Sequence, residues 1–87
     1  MVYGNLTDSQ HQLLNEISNA ISSGKYYQIF EAIFTSKPAH INLRGMADHP
    51  TKSIACEEEN LLVLEREKFI VLDEKRQGRY YCHLSII

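Results

Sequence analysis

Seven side chains in this sequence are of the kinds that ligate metal ions or transfer protons: His11, His40, Asp48, His49, Cys56, Cys82 and His83. None falls into a Cys-x-x-Cys or His-x-x-x-His spacing. Cys82 and His83, adjacent in an expected strand, would point to opposite faces and could not easily hold one ion. The reading is therefore no metal centre and no cofactor, with Cys82 a small core residue and Cys56 half-buried. Paired carboxylates, a nucleophile motif and a glycine-rich phosphate loop are all missing from the sequence, so the chain is not expected to be an enzyme.

Charge is the remaining candidate for chemistry. Of the nine Lys and Arg, five lie between Arg66 and Arg79, and Glu57, Glu58 and Glu59 concentrate negative charge in one place. Three of the five, Lys75, Arg76 and Arg79, fall at an expected hairpin tip. A net charge of −2 counts against a dedicated phosphate binder. A local basic tip can still reach phosphate.

The elements that would position these groups are read from periodicity. Thr7-Asp8-Ser9-Gln10 fits a capping box, and Leu13, Leu14, Ile17, Ala20 and Ile21 recur at helical spacing until Gly24. Tyr26, Ile29, Phe30, Ile33 and Phe34 repeat the three-four spacing and predict a second helix, which Pro38 ends at about Ser36. Ile41 allows a short extended step, and Asn42 is read as the N-cap of a brief helix carrying Leu43, Met46 and Ala47. Asp48-His49-Pro50-Thr51 is read as a turn.

Between Thr51 and Lys68 the reading is a third long helix with Ile54, Leu61, Leu64 and Leu62 as inward candidates. Its first turns lack apolar residues, because Glu57 and Glu58 stand at i+3 and i+4 from Ile54. Phe69 to Leu72 has strand character, Asp73 to Arg79 is a charged turn, and Tyr80, Cys82, Leu84 and Ile86 alternate with Arg79, Tyr81, His83 and Ser85 along a returning strand.

Size and composition set bounds on this. At 87 residues the chain is read as one domain, 1–87. So small a domain buries only about 60–65% of its unfolded surface, which makes oligomerisation a natural supplement. Hydrophobic residues make up 44%, and no run approaches the roughly 18 apolar residues of a membrane span, so no membrane partner is expected. Met1-Val2-Tyr3-Gly4-Asn5 has neither a basic segment nor an apolar signal core, and two cysteines do not make a disulfide framework; a cytoplasmic location is expected.

From Tyr26 onward, the phrase Leu64-Glu-Arg-Glu-Lys-Phe69-Ile-Val followed by Gly78-Arg79-Tyr80-Tyr81-x-x-Leu84 resembles the winged helix-turn-helix repressors of the ArsR and MarR type. The resemblance implies an α+β, mainly helical fold of three to four helices plus a C-terminal β-hairpin wing. It makes Asn42 to Ala47 the first helix of the helix-turn-helix and Thr51 to Lys68 the recognition helix. Thr51, Lys52 and Ser53 would then meet the major groove at a helix N-terminus, and Lys75, Arg76 and Arg79 would reach phosphates or the minor groove from the wing. The sequence departs from the family pattern at Glu57-Glu58-Glu59, three carboxylates within about a turn of the DNA surface. They read more simply as a solvated face, or one turned toward a protein.

Two function classes follow. One is a sequence-specific binder of double-stranded DNA, a homodimeric transcriptional repressor or a plasmid or phage centromere-binding adaptor. Its dimer interface would be the stripe Leu13, Leu14, Ile17 and Ile21, joined by the apolar end Leu84-Ser85-Ile86-Ile87. The other is a winged-helix protein-interaction module without DNA affinity, meeting its partner through the acidic helix and the apolar face of helix one.

Overall fold

A computed structural model describes residues 6–85, apart from the side chain of Glu74. Two helices and five strands follow one another as α1 (Asp8–Ser22), β1 (Phe30–Ile33), β2 (His40–Leu43), β3 (Lys52–Ala55), α2 (Glu58–Arg66), β4 (Ile70–Arg76) and β5 (Arg79–Leu84). The strands form one antiparallel sheet in the order β3-β2-β1-β5-β4. This overturns the expectation of a mainly helical winged helix-turn-helix with three to four helices. Two helices on one face of a five-stranded sheet leave no helix-turn-helix.

Helix α1 forms as its sequence requires. The Gln10 N–H donates to Thr7 Oγ1 at 3.3 Å and the Thr7 N–H donates to Gln10 Oε1 at 3.0 Å, closing the capping box. Leu13, Leu14, Ile17 and Ala20 are buried on the face toward the sheet, and the helix gives out before Gly24, whose φ is +77°. Gln10 Nε2 then donates to Asn60 Oδ1 at 3.2 Å, tying α1 to α2.

The expected second helix is the strand β1. Seven of residues 26–35 are aromatic or β-branched, types that lose χ1 freedom in a helix and fit a pleated surface. Read at period two, the same residues put Phe30 and Ala32 in the core, at 2% and 0% exposure, and Ile29 and Glu31 on the opposite face. The brief helix over Asn42 to Ala47 is also a correction. His40–Leu43 is strand β2, with Ile41 and Leu43 inward, and the chain then turns, its backbone closing Tyr26 against Gly45 in an isolated bridge.

The long helix over Thr51 to Lys68 divides in two. Lys52–Ala55 is strand β3, and helix α2 begins at Glu58 with Glu57 as N-cap. Glu58 and Glu59 occupy the first helical turn, where carboxylates are favoured by the positive end of the helix dipole. The acidic run is thus a helix start, and with Glu57 and Glu59 exposed it is also the expected solvated face. Leu61 and Leu64 are fully buried as expected, whereas Leu62 is exposed.

The C-terminal hairpin is present but longer in strand and tighter in turn than expected. Arg76 pairs with Arg79, so only Gln77 and Gly78 form the turn, at φ +53° and +80°, the two positive values of a type I′ hairpin. Tyr80, Cys82 and Leu84 share the inner face, as the alternation implied. Ile86 and Ile87, and the segment Met1 to Asn5, lie outside the described residues.

The core is one cluster between the helices and the inner sheet face, with Ile17, Phe30, Ile41, Leu43, Leu61, Leu64, Ile70 and Cys82 at its centre. The stripe expected at a dimer interface belongs to it: Leu13 and Leu14 are 5% and 6% exposed, Ile17 is 0% exposed, and Ile21 packs against the cluster. The chain's own sheet and α2 cover that stripe. The premise that the core would leave it open does not hold.

Candidate interaction surface

The six residues expected at DNA do not converge. Thr51 and Ser53 lie on or beside β3 and Lys52 within it, not at a helix N-terminus. Lys52 sits opposite Leu43, hence on the helical side of the sheet, while the Ser53 Oγ donates to Asn42 Oδ1 at 2.7 Å on the other side. In the hairpin, Lys75 is opposite Tyr80 with its ammonium 5.3 Å from that ring's centroid, and Arg79 reaches across to Glu31 at 3.3 Å. Lys75 therefore faces the helical side, and Arg76 and Arg79 face the other.

The acidic run is also committed locally. The Tyr80 hydroxyl donates to Glu58 Oε2 at 2.7 Å, and this bond to the carboxylate, followed by burial, pushes the tyrosine's pKa up. Glu57 caps α2 through its backbone position and Glu59 is exposed.

Neither cysteine offers a ligand or a nucleophile. Both are free and buried. Burial, with help from Glu57, pushes the Cys56 thiol up to about 12, and burial, with Asp73 and Cys56 contributing, does the same to Cys82. Among the described residues no three His, Cys, Asp or Glu side chains come together as a metal site. Alkylation by iodoacetamide at pH 8 is accordingly expected to be slower than for a free thiol by at least tenfold in the folded protein, and to recover in urea; native reactivity equal to that of glutathione would contradict this burial. The sign for stability is also set. A thiol that is harder to ionise folded than unfolded stabilises the fold fully below pH 9, and that contribution is lost as pH climbs toward 12.

The sheet face turned away from the helices carries a different set of residues. On it Tyr27, Ile29, Tyr81 and Val71 are 46%, 57%, 36% and 36% exposed, while their neighbours Phe30, Ile70, Tyr80 and Cys82 are in the core. The Arg44 guanidinium lies 5.7 Å from the centroid of the Tyr27 ring, and the Tyr27 N–H donates to the Arg44 carbonyl at 3.0 Å. Ile29, Glu31, Asn42, Arg44, Thr51 and Tyr81 line a shallow concavity of about 380 Å³. Arg79 and Glu31 form its polar border, and His83 Nε2 lies 3.4 Å from Asp73 Oδ2 farther out.

No sequence reading singled out this face, yet a period-two signal for it was present. Ile29 and Glu31 alternate with the buried Phe30 and Ala32, as Tyr81 and His83 do with Tyr80 and Cys82. Reading residues 26–34 at helical spacing merged the two faces into one. No helix among the described residues is long and apolar enough to cross a membrane. Compared with known families, with characterised proteins and with solved structures, the chain matches none, and its functional reading rests on the geometry of this face.

Proposed function

We propose that the protein is a non-catalytic interaction module whose helix-free sheet face docks a partner protein presenting apolar side chains bordered by carboxylates. One observation carries this: Tyr27, Ile29, Tyr81 and Val71 are large, exposed and share one side of the sheet with Arg44. Tyrosine and arginine around an apolar centre are the composition of interface hot spots, and exposed apolar patches rimmed by polar groups mark docking sites. Charge supports the partner's sign. Arg44, Arg76 and Arg79 belong to this face and outnumber Glu31, which pairs with Arg79, whereas Asp8, Glu16, Glu57, Glu58, Glu59, Glu65 and Glu67 are carried by α1, α2 and their caps.

The double-stranded DNA reading loses its carriers. Its recognition helix is a strand and a separate acidic-capped helix, and its wing cations point to two faces. A protein partner remains, met through the sheet in place of the acidic helix. The two free buried thiols support a reducing compartment such as the cytoplasm.

The test is a display selection of small domains and peptides on the immobilised protein, followed by titration of the winners against variants. Ligands rich in apolar and acidic residues are expected, and Ile29→Asp or Arg44→Glu should weaken them at least tenfold. A fluorescent random-sequence DNA duplex serves as the competing probe. Micromolar duplex binding with a steep salt slope that Arg76→Ala and Arg79→Ala flatten would overturn the reading, as would selected ligands indifferent to Ile29→Asp.

A further inference from the structure

The two edges of the sheet are not alike. Edge strand β4 is broken by a bulge between Leu72 and Glu74 and carries Asp73, Lys75 and Arg76, the usual devices that keep an edge from pairing. Edge strand β3 is short and begins with Lys52, but Ser53, Ile54 and Ala55 carry no charge, and the strand pairs with β2 in unbroken register with no bulge.

The ladder tells which of its backbone groups are spare. The Cys56 N–H donates to the Ala39 carbonyl at 3.2 Å, which continues the β2–β3 register by one pair. Groups of alternate residues point the same way, so Lys52 and Ile54 turn their N–H and C=O toward β2. Ser53 and Ala55, both exposed, turn theirs outward.

Beside this open edge runs a groove. A concavity of about 430 Å³ lies between the second half of α1 and Lys52, with Glu16, Ser23, Lys25, Tyr26 and His49 on its walls. A second, of about 360 Å³, lies between the first half of α1 and Ala55, with Ser9, Leu13, Glu16 and Glu57 on its walls. Both are flanked by α1 and β3 and Glu16 lines each, so the two are successive parts of an interrupted channel with this carboxylate between them. The channel is polarised. Lys25 and Lys52, neither with an ion-pair partner among the described residues, stand with His49 at one end, and Glu57 stands at the other. The two ammonium groups outweigh the Glu16 carboxylate and the roughly half negative charge of the α1 C-terminus that also lie there.

We propose that this channel binds an extended peptide segment of a partner protein as a sixth strand, antiparallel to β3, with an acidic carboxyl-terminal end at Lys25, Lys52 and His49 and a basic residue at its amino end facing Glu57. Antiparallel pairing, the mode β3 already makes with β2, fixes which end of the ligand meets which charge. β3 runs from the cationic end to the acidic end, so an antiparallel strand runs from Glu57 to Lys52 and delivers its C-terminus to the lysines. The outward N–H and C=O of Ser53 and Ala55 supply the main-chain bonds, and alternate side chains of the ligand enter the channel against Leu13 and Ala20. This surface lies across the sheet edge from the Tyr27–Tyr81 face and stands independently of it.

The probe is a synthetic peptide of about eight residues alternating threonine and valine, with arginine at its amino end and aspartate with a free carboxylate at its carboxyl end. Titration calorimetry should give a dissociation constant on the order of tens of micromolar, and amide exchange at Ser53 and Ala55 should slow on binding. Amidating the carboxyl end and replacing its aspartate by asparagine, or reversing the order of the charged ends, should weaken binding at least tenfold. Ser53→Pro removes an outward donor while sparing the bonds to β2, and should abolish binding. Should Ser53→Pro not fold, the exposed double variant Lys25→Glu/Lys52→Glu carries the test and should prefer the charge-reversed peptide. Ile29→Asp should leave the affinity unchanged, separating this surface from the sheet face. Absence of binding up to millimolar peptide, or equal affinity for the forward, amidated and reversed peptides, overturns the proposal.

Discussion

Ile17→Glu is expected to unfold the protein and not to release folded monomers from a dimer. Ile17 is fully buried between α1 and the sheet, in contact with a cluster that holds no cation to pair with a new carboxylate. Losing the isoleucine side chain costs about 2–5 kcal/mol, and an unpaired buried carboxylate adds several more. A domain of this size is stable by about 4–12 kcal/mol in total, so the two terms together consume most of the margin. Circular dichroism with sedimentation velocity separates the outcomes. A variant that keeps native ellipticity and sediments as a monomer where the wild type sediments as a dimer would return α1 to the surface and contradict the packing.

Gly45→Ala is the second substitution with a large expected effect. A Cβ built at Gly45 would stand 1.9 Å from the His49 carbonyl oxygen, 2.6 Å from its carbon and 2.8 Å from the Pro50 carbonyl oxygen, all backbone atoms that cannot rotate away. The loop must open to admit one methyl group. That loop holds His49 edge-on to Tyr26, with centroids 4.9 Å apart and the His49 Nε2 3.0 Å from the Tyr26 hydroxyl, and its Met46 N–H donates to the Lys25 carbonyl at 2.9 Å. A loss of about 3 kcal/mol is expected, or about 12–24 °C in melting temperature. Gly24→Ala supplies the contrast: its φ of +77° is unfavourable, but nothing lies within 4 Å, so only about 1 kcal/mol is at stake. Equal melting temperatures for the two variants would refute the crowding at Gly45.

What could be read from the residues and what could not divides along physical lines. The α1 boundary and its capping box were legible because the signal is local, a hydroxyl and an amide three residues apart. The hairpin was legible because Gly78 and the alternation of Tyr80, Cys82 and Leu84 point one way. The meander β1-β2-β3 was not. Tyr26, Ile29, Phe30, Ile33 and Phe34 satisfy helical spacing by coincidence, and only the cross-strand partners in β2 and β5 decide for a strand.

Glu57 to Glu59 misled for a related reason. Judged against a DNA surface the run was an anomaly, whereas at the first turn of a helix starting at Glu58 it is favourable. The candidate surface followed the fold. A helix over residues 26–34 gives Tyr27 and Ile29 no face in common with Tyr81, which lies far away in sequence, and only a continuous helix from Thr51 would gather the residues expected at DNA, where the structure has β3 and α2.

The position of β1 in the sheet bears on the order in which the molecule can assemble. Phe30 pairs with Cys82 and Ile33 with Arg79, so the middle of the sheet joins the early part of the chain to its last described strand. A chain emerging from the ribosome can form α1 and the three-stranded meander, but Phe30, Ala32 and Ile41 keep one side of their cavity open until β5 has been made. Closing that long loop is entropically slow, and the nascent meander meanwhile offers an unpaired β1 edge beside exposed apolar side chains. The strand order thus leaves the β1 edge open through most of synthesis, until the hairpin slots in beside it.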